Sequence, residues 1–345
     1  MDLISLLYKS VTGNNKSGIL GKIKQHRGKY NNQSAITDAP SPIDAFPAEF
    51  IVKLDDMPTI KYRGSIGFIY ISHYKTHKIA IKHVPTNIKN NLQSDIRASN
   101  IFGKLSSIIN PSANQMITEI TKTVSKELEM KLELSWCIEL SKYQPTFQNY
   151  NCKLLQAIPE LSTNDNFVYL FDKGKSLSSI KEIPIEKRND IAKRIALVYF
   201  TFIHKHNILF GDLNEGNFLY DSEGDWITFI DYGCIINLDQ IQMKHLQDLH
   251  KSQRSIDTLS ELILSWGGNQ NMARFVYQQS QPFWDKSKKF SDVPELFEFL
   301  KNPINAMSQM PPEISMVIRA SHQLNNLMKY LDADFTIANE LNQFM

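Results

Sequence analysis

The sequence has few cysteines, almost no net charge and no long apolar run. Its 3 cysteines, Cys137, Cys152 and Cys234, are widely spaced and form no C-x-x-C motif, which argues against a disulfide framework or a structural zinc site. A reducing compartment fits this composition best. The net charge is only +2, because 38 Lys and Arg face 36 Asp and Glu. A net charge this small cannot attract nucleic acid through the overall electrostatic field of the protein, so we expect no nucleic-acid partner.

Membrane-spanning and secretory segments are also missing from the sequence. No apolar run reaches the roughly 18 to 20 residues that cross a bilayer, and the opening MDLISLLYKS is too short and too polar at its flanks for a signal peptide. We therefore expect a soluble, cytoplasmic protein. The first 33 residues carry six Lys and Arg against Asp2. This basic excess favours a solvated helical face, with peripheral contact to an anionic membrane as the alternative.

What is present indicates a folded protein with two lobes. The 345 residues are 42% hydrophobic and 10% aromatic, enough for two separate cores. Residues 1–58 are interpreted as an N-terminal extension, in which the prolines at 40, 42 and 47 break any helix and predict an extended segment tied onto the body. Residues 59–172 are predicted to form a small N-lobe and residues 173–345 a C-lobe.

The predicted N-lobe contains strands and a helix. SIGFIYIS and IAIKHV alternate and are rich in β-branched residues, which predicts two strands joined by a hairpin, with Lys82 near the end of the second. Residues 115–143 show apolar positions at helical spacing and predict one long amphipathic helix or two that abut. NFVYLFD is typical of a further strand. KGKSL has the composition of a connector between the lobes.

The predicted C-lobe is mostly helical. The apolar helix IAKRIALVYFTFIHKH leads into the loop NILFGDLNEGN, and the strands FLY and WITFI follow on either side of the turn DSEGD. Beyond residue 236 we expect helices separated by the glycines at 267 and 268 and by prolines at 282, 303, 311 and 312. The fold class predicted is therefore α+β, with a small β-containing N-lobe, a helical C-lobe and an N-terminal extension.

Three polar residues of the predicted C-lobe carry a specific chemistry. Asp212 and Asn217 lie five apart in GDLNEGN, and Asp231 follows 19 residues later in IDYG. Phosphoryl transfer needs a carboxylate near the attacking oxygen and oxygen ligands for magnesium, and this pattern supplies all three groups. Asp212 would orient or deprotonate the nucleophile, and Asn217 and Asp231 would bind the metal. Asp and Asn also favour turns for structural reasons, but the combined spacing and context favour function.

A lysine and a glycine-containing segment of the predicted N-lobe fit the same chemistry. Lys82 in IAIK is interpreted as the strand lysine that neutralises phosphates, held in place by a helix carboxylate. Gly64, Ser65 and Gly67 begin the first predicted strand, where small residues let backbone N–H groups approach phosphate. The segment is not G-x-G-x-x-G, so an ordinary tight turn stays open. The order of these motifs along the chain is that of a kinase.

At residues 60–335 the sequence resembles the UbiB/ADCK (aarF-domain) family of atypical protein-kinase-like proteins. Five family motifs have counterparts here: S-I-G-Q-V in Ser65-Ile66-Gly67-Phe68-Ile69, V-A-V-K in Ile79-Ala80-Ile81-Lys82, E-x-D-Y-x-x-E in Glu133 to Glu139, D-P-x-x-x-N in Asp212 to Asn217, and D-F-G in Asp231-Tyr232-Gly233. In the third motif Ser135 replaces the acidic middle residue. The family's K-x-G-Q has only loose candidates, Lys22 to Gln25 or Lys29 with Gln33.

The resemblance implies a two-lobe kinase-like fold that binds ATP and Mg²⁺. It also implies that Glu133 and Glu139 belong to the nucleotide site, and that ATP turnover serves lipid or quinone metabolism with a small-molecule or lipid phosphate acceptor. Because Ser135 departs from the motif, the family's contact between extension and helix is altered here. The resemblance leaves the choice between kinase and ATPase open.

Two alternatives use the same residues. H-R-D is replaced by Phe210-Gly211-Asp212 and no A-P-E follows Asp231, which points away from an ordinary protein kinase. G-D-L-x-x-x-N also resembles the aminoglycoside and choline phosphotransferases, so a small-molecule kinase is the first alternative. An ATP-gated pseudokinase module is the second. The pairs His73 with His77 and His204 with His206 lack a third ligand, which argues against a metal site.

Overall fold

The structure, a computed structural model, describes residues 39–63, 67–86, 88–90, 128–296, 299 and 312–341. Contacts divide the chain into two units. Unit 1 contains the described residues up to Lys142 together with Leu155–Lys173, and unit 2 contains Tyr143–Leu154 and the described residues from Gly174 onwards. The two candidate replacements for K-x-G-Q lie outside the described residues.

An antiparallel sheet forms the centre of unit 1, in the order β1-β2-β3-β5. Its strands are β1 (Thr59–Arg63), β2 (Phe68–Tyr74), β3 (His77–His83) and β5 (Asn166–Leu170). The predicted hairpin is confirmed, with Lys75 and Thr76 as its two-residue turn. Both have positive φ, 49° and 69°, as a hairpin turn that follows strand twist requires. Within the sheet, Lys82 of β3 is paired with Ile69 of β2 and Phe167 of β5.

The end of the predicted extension packs onto this sheet through two short helices, α1 (Pro42–Ala45) and α2 (Ala48–Ile51). The expectation of an extended, helix-free segment was therefore wrong. Proline is tolerated at the start of a helix, where its missing N–H has no partner to lose, and Pro42 begins α1 while Pro47 is the N-cap of α2. The rings of Phe46 and Tyr70 lie 4.9 Å apart edge to face. The segment thus contributes to the core of unit 1.

The helix α3 (Met130–Ser141) completes the described part of unit 1. Its buried positions, Met130, Glu133, Cys137 and Leu140, follow helical spacing and therefore lie on one face. The predicted helix over 115–143 is described only from Met130 on, since 101–127 lie outside the described residues. Glu133 is unusual on this face because it is the charged member of an otherwise apolar row.

A second sheet, in the order β4-β9-β8-β6, lies in unit 2. The two central strands, β8 (Phe218–Asp221) and β9 (Trp226–Phe229), form the predicted hairpin. The edge strands are β4 (Cys152–Leu154) and β6 (Lys175–Ser176). Because β4 pairs in parallel with β9, residues 143–154 belong to unit 2, although they precede the lobe boundary predicted at residue 172.

Helices make up most of the remaining described part of unit 2. In chain order they are α4 (Gln144–Gln148), α5 (Ile185–His206), α6 (Gln240–Ser252), α7 (Ile256–Ser265), α8 (Gln270–Trp284), α9 (Pro312–Tyr330) and α10 (Ala338–Leu341). Single helical turns occur at Leu177–Glu182, Glu215–Asn217 and Phe290–Asp292. The predicted apolar helix before the loop corresponds to α5. Among the described residues, no helix combines the length and apolarity that a membrane span requires.

The predicted helix breaks are only partly correct. Gly267 has φ 79° and follows the end of α7, which confirms the break there. Pro282 does not separate two helices and lies inside α8. One hydrogen bond is lost at a proline near a helix end, but the turn resumes because the N–H of Asp285 donates to Gln281 O at 2.9 Å. Pro312 begins α9, and Pro303 lies outside the described residues.

Candidate functional site

Lys82 and Glu133 form a buried ion pair in unit 1. The Lys82 Nζ lies 2.8 Å from both carboxylate oxygens of Glu133, and the two residues are 51 apart in sequence. The side chain of Glu133 is 1% exposed and that of Lys82 is 18% exposed. A carboxylate this deeply buried is costly unless a cation compensates it, so each residue depends on the other for its charge. The pair fixes the ammonium group at a defined place at the end of β3.

Glu139, the second acidic residue of the same motif, is placed differently. It lies farther along α3, is 41% exposed and binds Lys142 at 2.5 Å. Ser135 is exposed, and its hydroxyl donates to Leu132 O within the same helix at 2.8 Å. Within the described contacts, Glu139 is therefore separate from the pair made by Lys82 and Glu133. A role for Glu139 in nucleotide binding stays a prediction.

The glycine-containing segment is described only at Gly67, because residues 64–66 lie outside the described residues. A Cβ added to Gly67 would lie 2.4 Å from the carbonyl oxygen of His83. That distance is far below van der Waals contact, so the close approach of β2 and β3 by itself requires glycine here. Gly67 has this structural reason for being glycine whether or not phosphate binds nearby.

The loop after β7 (Ile208–Phe210) is held by its own amide side chains. Asn214 accepts the N–H of Gly216 at 2.9 Å and donates through Nδ2 to Asp212 Oδ1 at 3.0 Å. The Nδ2 of Asn217 donates to the backbone oxygen of Asp212 at 3.1 Å. The side-chain nitrogens of Asn214 and Asn217 therefore both donate within the loop. The bond from Asn217 uses its nitrogen and not its amide oxygen. The loop is a turn in which amide hydrogen bonds orient the candidate acidic and amide groups.

Asp231 lies at the end of the hairpin that begins at Asn217. The N–H of Ile230 donates to Asn217 O at 3.0 Å, so residues 217 and 231 lie at the same end of the β8–β9 pair. The Oδ1 of Asp231 accepts the N–H of Gly233 at 2.9 Å. Between them Tyr232 is fully buried, and its hydroxyl donates to Phe229 O at 2.6 Å. The structure thus brings Asp212, Asn217 and Asp231 into one region of unit 2.

The donor set in this region fits magnesium. Mg²⁺ prefers oxygen ligands, and proteins typically supply one or two carboxylates while phosphate and water supply the rest. The carboxylate of Asp231 and the amide oxygen of Asn217 are ligands of this kind. Among the described residues there is no group of three or more His, Cys, Asp or Glu side chains that could hold a metal ion.

Two residues of α9 also contact this loop, and the sequence reasoning missed both. The Nη2 of Arg319 donates to Gly211 O at 3.2 Å, and the Nε2 of Gln323 donates to Asp212 Oδ1 at 2.9 Å. The available signal was weak. Arg319 and Gln323 are four residues apart in an amphipathic helix that carries several other polar residues, which places the two on one face but does not indicate their partners.

The histidines of the first candidate pair make hydrogen bonds to protein groups, and His204 of the second packs against another histidine. His73 Nδ1 lies 2.8 Å from Asp56 Oδ2, and His77 Nδ1 lies 2.8 Å from Lys75 O. The rings of His204 and His250 lie 4.7 Å apart in unit 2. Burial lowers the pKa of His204 to about 4 and that of His250 to about 3, so both imidazoles are neutral at neutral pH.

Comparison with protein families assigns the chain. Residues 63–259, more than half of the sequence, match the model of the ABC1 atypical kinase-like domain. The chain belongs to this family. The match confirms the resemblance to UbiB/ADCK proteins that the motifs indicated. In this ABC1 chain the matched span contains Lys82, Glu133, Asp212, Asn217 and Asp231, and it ends before Arg319 and Gln323. None of the curated proteins matches the chain.

A solved structure supports the fold of this ABC1 chain. Rv3197 from Mycobacterium tuberculosis, solved in complex with erythromycin, has a TM-score of 0.62 and 16% sequence identity, and the alignment covers 86% of this chain and 78% of Rv3197. Vaccinia related kinase 3 gives a TM-score of 0.33 and 12% identity over 60% of this chain and 56% of its own, a score too low to show a shared fold. The α+β, two-lobe kinase-like fold class is thereby confirmed.

Proposed function

We propose that this chain is an ATP-binding, magnesium-dependent atypical kinase or ATPase of the UbiB/ADCK type, acting in lipid or quinone metabolism. The single observation that carries the proposal is the ion pair between Lys82 and Glu133, at 2.8 Å and almost fully buried at the carboxylate. A buried ion pair rarely stabilises a fold more than apolar residues of the same size would. Its presence at the end of a kinase-like strand therefore favours a role for the ammonium group in binding phosphate.

In this proposal the candidate residues of each unit have distinct roles in ATP turnover. Lys82 binds the phosphates, and Glu133 keeps its ammonium group in position. Asp212 positions or deprotonates the attacking oxygen, while Asn217 and Asp231 supply oxygens to the metal. Bound Mg²⁺ would neutralise charge on the phosphate oxygens during transfer. The hydrogen bonds that hold Asp212 and Asn217 in the loop, each of 3.0 or 3.1 Å, would reduce the reorganisation needed on binding.

The proposal is tested by measuring phosphate release from ATP with the full chain and MgCl₂. Asp231→Asn keeps the size of the side chain but removes the charge that would bind the metal, so we expect its turnover to fall by roughly 100-fold or more. Asp221→Asn is the matched control. Asp221 lies at the other end of strand β8 and accepts the N–H of Glu223, which an amide oxygen can also do. Equal turnover in Asp231→Asn and the wild type would contradict the proposal.

The identity of the phosphate acceptor separates the proposal from a small-molecule kinase. A kinase of small alcohols yields a phosphorylated product in stoichiometric balance with ADP, whereas an ATPase releases inorganic phosphate. Mass spectrometry of products from reactions with alcohol, lipid and quinol acceptors distinguishes these results. Magnesium-dependent ATP binding without any turnover over hours would instead indicate a pseudokinase module. Each outcome assigns a different fate to the same bound nucleotide.

A further inference from the structure

The helix α9 contacts the candidate catalytic loop at two points. Arg319 donates to the backbone oxygen of Gly211, and Gln323 donates to the side chain of Asp212. Residues four apart lie on one face of a helix, so both donors come from the same side of α9. The two acceptors are consecutive in the loop. One turn of helix therefore holds both the backbone and the carboxylate of this short segment.

Gln323 is well placed to orient Asp212. Its side chain is 8% exposed, and its neighbours on α9, Leu324 and Ala320, are buried, so packing restricts its rotamers. Two amides donate to the same carboxylate oxygen, Oδ1 of Asp212: Gln323 at 2.9 Å and Asn214 at 3.0 Å. Two donors on one oxygen restrict rotation of the carboxylate about its Cβ–Cγ bond. They thereby determine the direction of the other oxygen, Oδ2.

We propose that Gln323 is a positioning residue for Asp212, and that the turn of α9 from Arg319 to Gln323 supports the catalytic loop of this chain. The inference rests on the proposed function, in which Asp212 acts on the attacking oxygen. It extends that machinery beyond the residues 63–259 that define the family match, because Gln323 and Arg319 lie 64 and 60 residues past its end. Correct orientation of the carboxylate contributes to kcat, because a displacement of about 1 Å can lower a rate roughly 100-fold.

The first test compares two substitutions in α9. Gln323→Leu removes the donor at similar volume, and we expect kcat for ATP turnover to fall about 10- to 100-fold with KM for ATP within about 2-fold. Asn325→Leu is the matched control. Its amide donates to Gln279 O at 2.8 Å and to Gln279 Oε1 at 2.9 Å, away from the loop. Thermal unfolding of both variants shows whether they remain folded. We expect Asn325→Leu to keep the wild-type kcat.

A second variant provides a signature that loss of packing would not produce. Gln323→Glu keeps the size of the side chain but replaces the amide donor with a carboxylate that repels Asp212. We therefore expect kcat for ATP turnover at neutral pH to fall at least as far as in Gln323→Leu, with KM for ATP within about 2-fold.

The outcomes separate the inference from the proposed function. If the wild type shows no magnesium-dependent ATP turnover, the proposed function fails and the inference fails with it. If the wild type turns over ATP but Gln323→Leu has an unchanged kcat, only the inference is overturned. A wild-type kcat for Gln323→Glu would overturn it as well, because it would mean that residue 323 need not donate to Asp212.

Discussion

The two units of this protein hold their candidate functional groups by different physical means. In unit 1 a cation is held by an anion: Lys82 and Glu133 neutralise each other inside the protein. In unit 2 the carboxylates of Asp212 and Asp231 are held by amide and backbone N–H groups, from Asn214, Gln323 and Gly233. Neutral donors orient a carboxylate without cancelling its charge. The first arrangement fixes a positive group, and the second preserves negative charge of the kind that a metal ion requires.

The difference also determines how each unit responds to substitution. Removing one member of a buried ion pair leaves an uncompensated charge in a medium of low dielectric constant, which costs several kcal/mol. Replacing Asp212 or Asp231 by asparagine leaves no uncompensated charge, because the amide oxygen can accept the same hydrogen bonds. Stability should therefore depend strongly on the candidate residues of unit 1 and weakly on those of unit 2. Activity should depend on both.

The largest expected effect breaks the ion pair of unit 1. Lys82→Met leaves Glu133 buried without its cation, so we expect the free energy of unfolding to fall by about 3–5 kcal/mol. The double variant Lys82→Met/Glu133→Leu replaces both charges with apolar groups and should recover most of that loss while ATP turnover stays absent. Urea denaturation measures both changes. A double variant as unstable as the single one would show that the pair is not the source of the loss.

Glu139→Gln supplies the matched control for this experiment. Glu139 lies on the same helix and also binds a lysine, but its carboxylate is 41% exposed. Exposed ion pairs of this type contribute less than about 0.5 kcal/mol, so the urea midpoint should hardly move. A large shift of the urea midpoint with Glu139→Gln would contradict this expectation. It would mean that losing a charged partner on α3 lowers the free energy of unfolding whether or not the carboxylate is buried.

An intermediate effect compares one glycine from each unit. A Cβ at Gly67 would lie 2.4 Å from a backbone oxygen, whereas a Cβ at Gly211 would lie 2.6 Å from the Sγ of Cys234 and 3.0 Å from its backbone oxygen. A side chain can adjust more readily than a strand, so we expect losses of roughly 3 kcal/mol for Gly67→Ala and roughly 1–2 kcal/mol for Gly211→Ala. Thermal unfolding followed by circular dichroism measures both.

A further substitution, Cys234→Ala, makes the comparison of the two glycines more specific. Adding Cys234→Ala to Gly211→Ala removes the nearer of the two clashing atoms and should recover part of the lost stability. The same substitution added to Gly67→Ala should give no recovery, because Cys234 is not among the atoms that oppose a Cβ there. If both glycine variants were equally stable, the distinction between backbone and side-chain contacts would be wrong.

The smallest effect concerns the histidine pair of unit 2 in acid. The pKa values of His204 and His250 are about 4 and about 3 in the folded protein, below the ordinary 6.5, because burial disfavours the charged form. Between pH 6.5 and these values the unfolded chain binds more protons than the folded one. The contribution of these two histidines to the free energy of unfolding is therefore complete above pH 6.5. It is lost as the pH falls from 6.5 toward their pKa values in the folded protein. No comparable pair of buried histidines occurs in the described part of unit 1.

Substitution at this pair tests the pH dependence directly. From pH 7.5 to 5.5 each such histidine costs about 1 kcal/mol of stability, so His250→Leu should lessen the acid loss by about that amount. His77→Leu is the control, since His77 is exposed at the start of strand β3 in unit 1. Urea denaturation at the two pH values gives the slopes. An equal change of slope for both variants would show that the effect does not depend on burial.

Much of the local structure could be predicted because it is encoded in adjacent residues. Alternation of β-branched and polar residues predicted β2 and β3, and the apolar periodicity before residue 206 predicted α5. The short helices α1 and α2 escape prediction, because the rule that proline breaks helices takes no account of its position within the helix. At the first turn of a helix its missing N–H costs nothing. Position within an element, and not composition alone, decided that case.

The sequence by itself determined the motifs around Lys82, Asp212, Asn217 and Asp231 and, through them, the family of this chain. A motif is a set of neighbours along the chain, so one sequence suffices to recognise it. The structure alone decided which distant side chains meet: Lys82 with Glu133 across 51 residues, and Asp212 with Gln323 across 111. Such contacts arise from the packing of whole helices and strands. The apolar periodicity of a helix predicts which side is buried, but it does not predict which other element packs against that side.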